Sequence, residues 1–297
     1  MGNCLYRYSI GNRRRRSIVD FKRVSIIFLI TFFVLNIFLG TTYLQGQRSQ
    51  KLSDLGDLAQ IEERLAEENI KYDGSFSTKS LEAYYLSGVS SDLASLTLDG
   101  MALYTQNDLN GKSVTRDLSV LPDLIFNEAD LVKQTSNFLA SDNGVAFGEE
   151  YDYRKKLNGS NLSLYYTQDY QGIPFYDEGG SVTVNYQKVQ EIPRKYQLTS
   201  LTQTHIANIE ELREKQNVIS EQEAIATLYV NSKLPERSKI QDRILAYTHI
   251  FSVDEKNIYL PVWFIWVKTS DDKVQIEKVN AFSNTIITTN VSDVTTN

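Results

Sequence analysis

The sequence predicts an α+β protein led by an apolar helix, and three stretches carry that prediction. Val24 to Leu44 runs for 21 residues without a charge. Leu162, Leu164 and Tyr166, and later Val182, Val184 and Tyr186, alternate with polar residues at a period of two, the pattern of strands buried on one face. Ser220-Glu221-Gln222-Glu223 opens a helix with a capping box, and strand-like runs follow it to the C-terminus. Helices that alternate with runs of hairpin-connected strands imply antiparallel sheets with helices packed on one face.

At 1.5 Å rise per residue, a helix over 24–44 reaches about 30 Å, the thickness of a bilayer's hydrocarbon core. Before it stand Arg7, Arg13, Arg14, Arg15, Arg16, Lys22 and Arg23, opposed only by Asp20; after it come Arg48 and Lys51, offset by Asp54 and Asp57. Cationic flanks stay in the cytoplasm, so residues 1–23 are expected inside and everything after 44 outside. A cleaved signal peptide has an apolar core of only about 7–15 residues and a small-residue cleavage site. Gly40-Thr41-Thr42 fits such a site poorly, so an uncleaved anchor is expected. The tail has no periodicity. Gly2 lacks the Ser or Thr at position six that myristoylation favours, since Tyr6 stands there.

The chain has 31 basic and 37 acidic residues; setting aside the seven and one before residue 45 leaves the outer segment at net −12. A surface that grips nucleic acid or anionic lipid needs an excess of Lys and Arg, so neither is expected as the outer segment's partner. Cys4 is the only cysteine, which excludes a disulfide framework and a Cys-based zinc site outside the membrane.

The outer segment is read as two α+β domains, 48–204 and 205–297. Leu52 to Asn69 has an apolar helical stripe through Leu55, Leu58, Ile61 and Leu65. Asp73-Gly74 and Asp99-Gly100 are turn signals, and 81–89, 93–104 and 113–120 read as strands. Asn127 is placed as the cap of a helix to Ala140. A third helical region is expected from Thr204 to Ser232. Strands are expected at 243–253, 258–268, 274–282 and 285–289. The stretch 258–267 is almost wholly apolar and so central, although Pro261 asks for a bulge or a missing neighbour.

The inventory of catalytic groups is thin. His205 and His249, the only histidines, fall in different elements and lack a metal-ligand spacing partner. Acidic pairs at Glu62-Glu63, Glu67-Glu68, Glu149-Glu150 and Asp271-Asp272 fit solvated surface better than a glycosidase pair. Nucleophile elbow, phosphate loop, dinucleotide fingerprint and zinc-protease motif are all missing from the sequence. No enzyme activity, cofactor or metal is expected. The apolar run is more informative: Leu29, Phe32, Asn36 and Gly40 share one face, where Asn36 offers a directional bond and Gly40 a close backbone approach to a partner helix.

Asp20-Phe21-Lys22-Arg23, Ile26-Ile27-Phe28-Leu29-Ile30, Leu35-Asn36-Ile37-Phe38-Leu39 and Tyr43-Leu44-Gln45 resemble the N-terminus of the YycI-type regulatory proteins. Leu260-Pro261-Val262-Trp263 and Val279-Asn280-Ala281-Phe282 agree with the family's C-terminal part. The resemblance implies a single-pass protein of the Gram-positive cell membrane. Such a protein acts with its sister YycH on the WalK (YycG) sensor histidine kinase, which controls cell-wall metabolism. It also implies contact through the transmembrane helix, outer domains that resemble PepSY-like modules, and no catalytic residue. Family members begin almost at the Asp-Phe-Lys-Arg motif, and valine can be encoded by GTG, so Val19 is a candidate initiator in place of Met1. Lys22 and Arg23 alone keep the inside-N orientation. Two other function classes are weighed: an extracytoplasmic module binding a wall fragment or peptide, and a wall hydrolase.

Overall fold

A computed structural model describes residues 25–37, 39, 61–96, 105–107, 111–121, 123–155, 162–176, 179–253 and 255–288. The chain divides into two compact units, 1–56 and 57–297. In the first, residues 25–37 form helix α1.

The second unit begins with α2 (Ile61–Glu67), β1 (Lys71–Tyr72), β2 (Leu81–Ala83), β3 (Leu86–Ser90), β4 (Thr105–Asn107), β5 (Ser113–Asp117) and β6 (Ile125–Asn127). Next come α3 (Leu131–Leu139), β7 (Asp152–Arg154), β8 (Ser163–Thr167), β9 (Asp169–Tyr170), β10 (Ile173–Pro174), β11 (Ser181–Lys188) and β12 (Lys195–Thr204). The last part holds β13 (Ile206–Glu211), β14 (Gln216–Val218), α4 (Glu221–Val230), β15 (Lys239–Val253), β16 (Lys256–Lys268), β17 (Val274–Asn280) and β18 (Thr285–Ile286).

These strands build two large sheets, and the α+β class follows. One runs β1-β15-β16-β17-β18, with β3 joining β16 to β13; the other runs β4-β5-β12-β11-β8-β7, with β6 on β12. All pairings in both are antiparallel except β1 with β15. The chain leaves one sheet for the other at His205, between β12 and β13. The segment 61–90 contributes α2, β1 and β3 to the sheet otherwise built from residues beyond 205.

Each sheet buries one face under helices. Ile61 and Leu65 of α2 and Ala224, Ile225 and Leu228 of α4 pack on Trp263, Ile265 and Val267 of β16. Leu131 and Leu139 of α3 cover Tyr166, Val184 and Leu198 on the second sheet. The other face of β16 is buried as well, where Val262, Phe264 and Trp266 meet Ala246 and Tyr176. Burial on both faces is why this strand reads as a continuous apolar run, each large side chain contributing about 1.5–3 kcal/mol over exposure. Pro261 sits where the outer edge of β16 changes partner, from β3 at 257–259 to β17 at 262–268. Its carbonyl accepts from Ala281 N on that edge, and the carbonyl of Ala281 accepts from Ile219 N, so no partner there calls for the N–H that proline lacks.

The capping box forms as the sequence predicts: Glu223 N donates to Ser220 Oγ at 3.2 Å, and Ser220 N donates to Glu223 Oε2 at 2.6 Å. The helix it starts, however, begins only at Glu221. Within the expected helical region 204–232, residues 206–211 and 216–218 are strands β13 and β14. Pairing of Ile206 with Ser90 and Glu211 with Leu86 outweighs the helix propensity of a Glu- and Lys-rich stretch.

Several boundaries also differ. The strand expected at 93–104 shows a 3-10 turn at Ala94–Leu96, and Asp99-Gly100 lies outside the described residues. Asn127 ends β6 and makes no side-chain cap bond; its amide instead donates to Gln134 Oε1 at 3.0 Å, ahead of a 3-10 turn at Glu128–Asp130. The first half of the expected 52–69 helix lies outside the described residues.

Candidate functional site

A polar cleft of about 620 Å³ opens between the two sheets. Thr202 and Thr204 of β12 line it from one side, and Thr248 and His249 of β15, with Lys278 of β17, from the other. His205, at the crossover, forms part of its wall. Both histidines of the chain therefore line one cleft, although 44 positions separate them in sequence.

His205 is buried and held on every side. Its Nδ1 lies 2.6 Å from Ser91 Oγ, and its Nε2 lies 2.9 Å from Glu150 Oε2. Phe147 stacks on the ring at 4.2 Å between centroids. Around this centre Gln168 Nε2 donates to Glu150 Oε2 and to Ile206 O, while its Oε1 accepts from Ile206 N at 2.8 Å. Tyr151 Oη donates to Thr204 O at 2.6 Å and accepts from Gln203 Nε2; burial raises its pKa. The network draws together the end of β3, the turn before β7, the end of β8 and the β12–β13 crossover. Ser91 and Glu150 stand 114 and 55 positions from His205, so no local spacing could announce them.

Hydroxyl, imidazole and carboxylate in a chain are also the parts of a hydrolytic triad. Such a site needs N–H groups aimed at the developing oxyanion. Ser91 N is instead bonded to His205 O at 3.0 Å as part of the β3–β13 ladder. The arrangement is therefore read as an inter-sheet tie. Among the described residues, no three His, Cys, Asp or Glu side chains cluster as metal ligands.

The residues expected to meet a partner helix fall in the first unit. Leu29, Phe32 and Asn36 lie on α1, with Leu29 72% and Phe32 65% exposed; Gly40, Lys22 and Arg23 lie outside the described residues. Asn36 Nδ2 donates to Phe32 O at 2.8 Å, one turn back on its own helix. Exposure is not confined to that face, since every large apolar side chain from Ile26 to Leu35 is more than half exposed. Among the described residues no helix is long and apolar enough to cross a membrane; α1 takes up residues 25–37 of the uncharged run 24–44.

Two mostly antiparallel sheets, each under its own helices and tied through a buried histidine, define a protein of the α+β class. The family model described as YycI protein matches residues 49–282. The chain belongs to the YycI family, a regulatory accessory family associated with the YycG/WalK pathway and not known as enzymatic. Among curated proteins, none matches. Of solved structures, an uncharacterized protein from Eubacterium rectale ATCC 33656 is similar at 8% identity and a TM-score of 0.39, over 74% of this chain and 89% of that one.

Proposed function

We propose that this protein is a single-pass membrane regulator. In this reading its apolar helix contacts a WalK/YycG-type sensor histidine kinase, and its outer unit holds a YycH-type sister. Membership of the YycI family carries the reading. The 21-residue uncharged run, with α1 over residues 25–37 of it, supports the anchor: a helix apolar all round has no stable place in water. Lys22 and Arg23 orient it with the N-terminus in the cytoplasm and the C-terminal domains outside the cell membrane. The outer part is taken to be PepSY-like.

A regulator moves a two-state kinase only through its difference in affinity for the two states. Helix packing suffices, because about 1.4 kcal/mol is already tenfold. Leu29, Phe32, Asn36 and Gly40 are the proposed contact face. Asn36 can keep its bond to Phe32 O and still offer Oδ1 to a neighbouring helix, a contact of about 0.6 kcal/mol on average.

The test is site-specific photo-crosslinking from positions 29, 32 and 36 in native membranes. Capture of the kinase or the sister from these positions, and not from 27 or 34, is expected. Equal capture from both sides of the helix, or none, contradicts the contact face.

A further inference from the structure

β17 (Val274–Asn280) is paired along its whole length on one side only. Val262 to Lys268 of β16 run beside it. On the other side β18 meets only Val279 and Asn280, and Ile287 N adds a bond to Lys278 O at 2.8 Å. Along a strand the backbone groups point alternately to the two neighbours. Ala281 N donates to Pro261 O on the β16 side, so odd-numbered residues face β16 while Lys278, Ile276 and Val274 face the opposite edge. Among the described residues no strand pairs with that edge at 274–277. The uncharged stretch Val274-Gln275-Ile276 contains no lysine, proline or bulge, the devices by which sheets protect an open edge.

The chain itself is headed along this edge. β18 runs antiparallel to β17, with Thr285 opposite Asn280 and Ile286 opposite Val279; continuing that register sets Thr289 opposite Ile276 and Val291 opposite Val274. The residues after β18, Ile287-Thr288-Thr289-Asn290-Val291, are mostly β-branched and include no charge, glycine or proline. Their polarity matches as well. Val274, Ile276 and Ile287 are all partly buried against the cluster of Phe264 and Trp266, so the odd positions of the tail fall on that apolar face. Val291 then extends the face, while Thr288 and Asn290 come beside Glu277 and Gln275 on the polar one. A slip of one residue would set Asn290 against the apolar rim and Val291 among the polar groups. We infer that the outer edge of β17 is a strand-binding site whose occupant is the chain's own C-terminal segment, residues 289–291, which lengthens β18 until it closes the sheet. A strand from any other chain then pairs with β17 only by displacing this segment.

The full chain, purified in detergent with its one native thiol removed by Cys4→Ser, carries the test as pairs of introduced cysteines. Gln275→Cys with Asn290→Cys sets two thiols directly opposite on one face, at a separation that a disulfide spans. Gln275→Cys with Val291→Cys sets them on opposite faces. Under mild oxidation the first pair is expected to close within one chain about tenfold faster than the second, read by non-reducing electrophoresis and peptide mass. Equal rates, no closure, or links only between chains overturn the inference, and the last result makes a second copy the occupant. Amide exchange at single residues then compares the full chain with one ending at Thr288. Exchange at Val274 and Ile276 is expected to rise about tenfold or more in the shortened chain, while Gln275 and Glu277, whose amides face β16, stay slow. Unchanged exchange at Val274 and Ile276 overturns the inference too. If Gln275 and Glu277 speed up as well, the sheet has opened and the thiol pairs alone decide.

Discussion

Ser91 Oγ and His205 Nδ1 lie 2.6 Å apart, and through that contact the end of β3 is fastened to the point where the chain passes between sheets. With Glu150 on the other ring nitrogen, the imidazole bridges elements far apart in sequence. Replacing His205 by Ala removes both bonds and leaves a cavity under Phe147. A loss of about 2–4 kcal/mol in urea unfolding is expected. A loss below about 0.5 kcal/mol would assign the network no role in joining the sheets.

Arg243 performs a similar task on the first sheet. From β15 it pairs with Glu221 at the start of α4, and its Nη2 donates to Asp73 O and Ser75 O at 3.1 Å each. Both charged side chains are largely buried, at 16% and 14% exposure. Arg243→Ala is expected to cost about 3 kcal/mol, and Arg243→Lys to recover little of it, because an ammonium cannot reproduce the planar fork. Full recovery by lysine would show that charge alone matters.

Glu277 on β17 gives the pH dependence a sign. Burial raises its pKa, with Lys233 opposing. The native state therefore holds this proton to higher pH than the unfolded chain, and stability falls as pH rises above the ordinary carboxylate value. Glu277→Gln should be more stable than the parent at neutral pH, with the difference vanishing near about pH 4. A variant less stable than the parent at neutral pH contradicts this account.

The segment 61–90 is predicted to be indispensable to the C-terminal half. It supplies α2, β1 and β3 to the sheet that β15, β16 and β17 build. A fragment 205–297 is expected to be unfolded alone by circular dichroism, whereas 57–297 folds. A cooperative thermal transition in the short fragment would contradict this.

Much of that fold was legible, and the exceptions have physical causes. The capping box at Ser220 and the doubly buried β16 are local signals, and both are where the sequence puts them. β12 is not legible. Its buried positions run Tyr196, Leu198, then Leu201 and Gln203, so the alternation slips one residue where the β11–β12 ladder bulges. β13 is hidden for another reason, since its pairing with β3 overrides a helical composition. The cleft is less legible still. Its histidines, lysines and threonines come from strands of both sheets and from the turns and crossover between them, and only the fold brings them together.

The central claim is that specific contacts of the apolar helix regulate the kinase. Its most direct test is kinase-dependent transcription in cells lacking the native copy, complemented by the chain with residues 24–44 replaced by polyleucine. Asn36→Leu and Gly40→Ile serve as the graded versions, with membrane abundance checked by blot. Polyleucine keeps an anchor and discards every specific contact. Loss of regulation at normal abundance, with partial loss in the two point variants, is the predicted result. Full regulation by the polyleucine chain would contradict the claim and move the signal to the outer sheets.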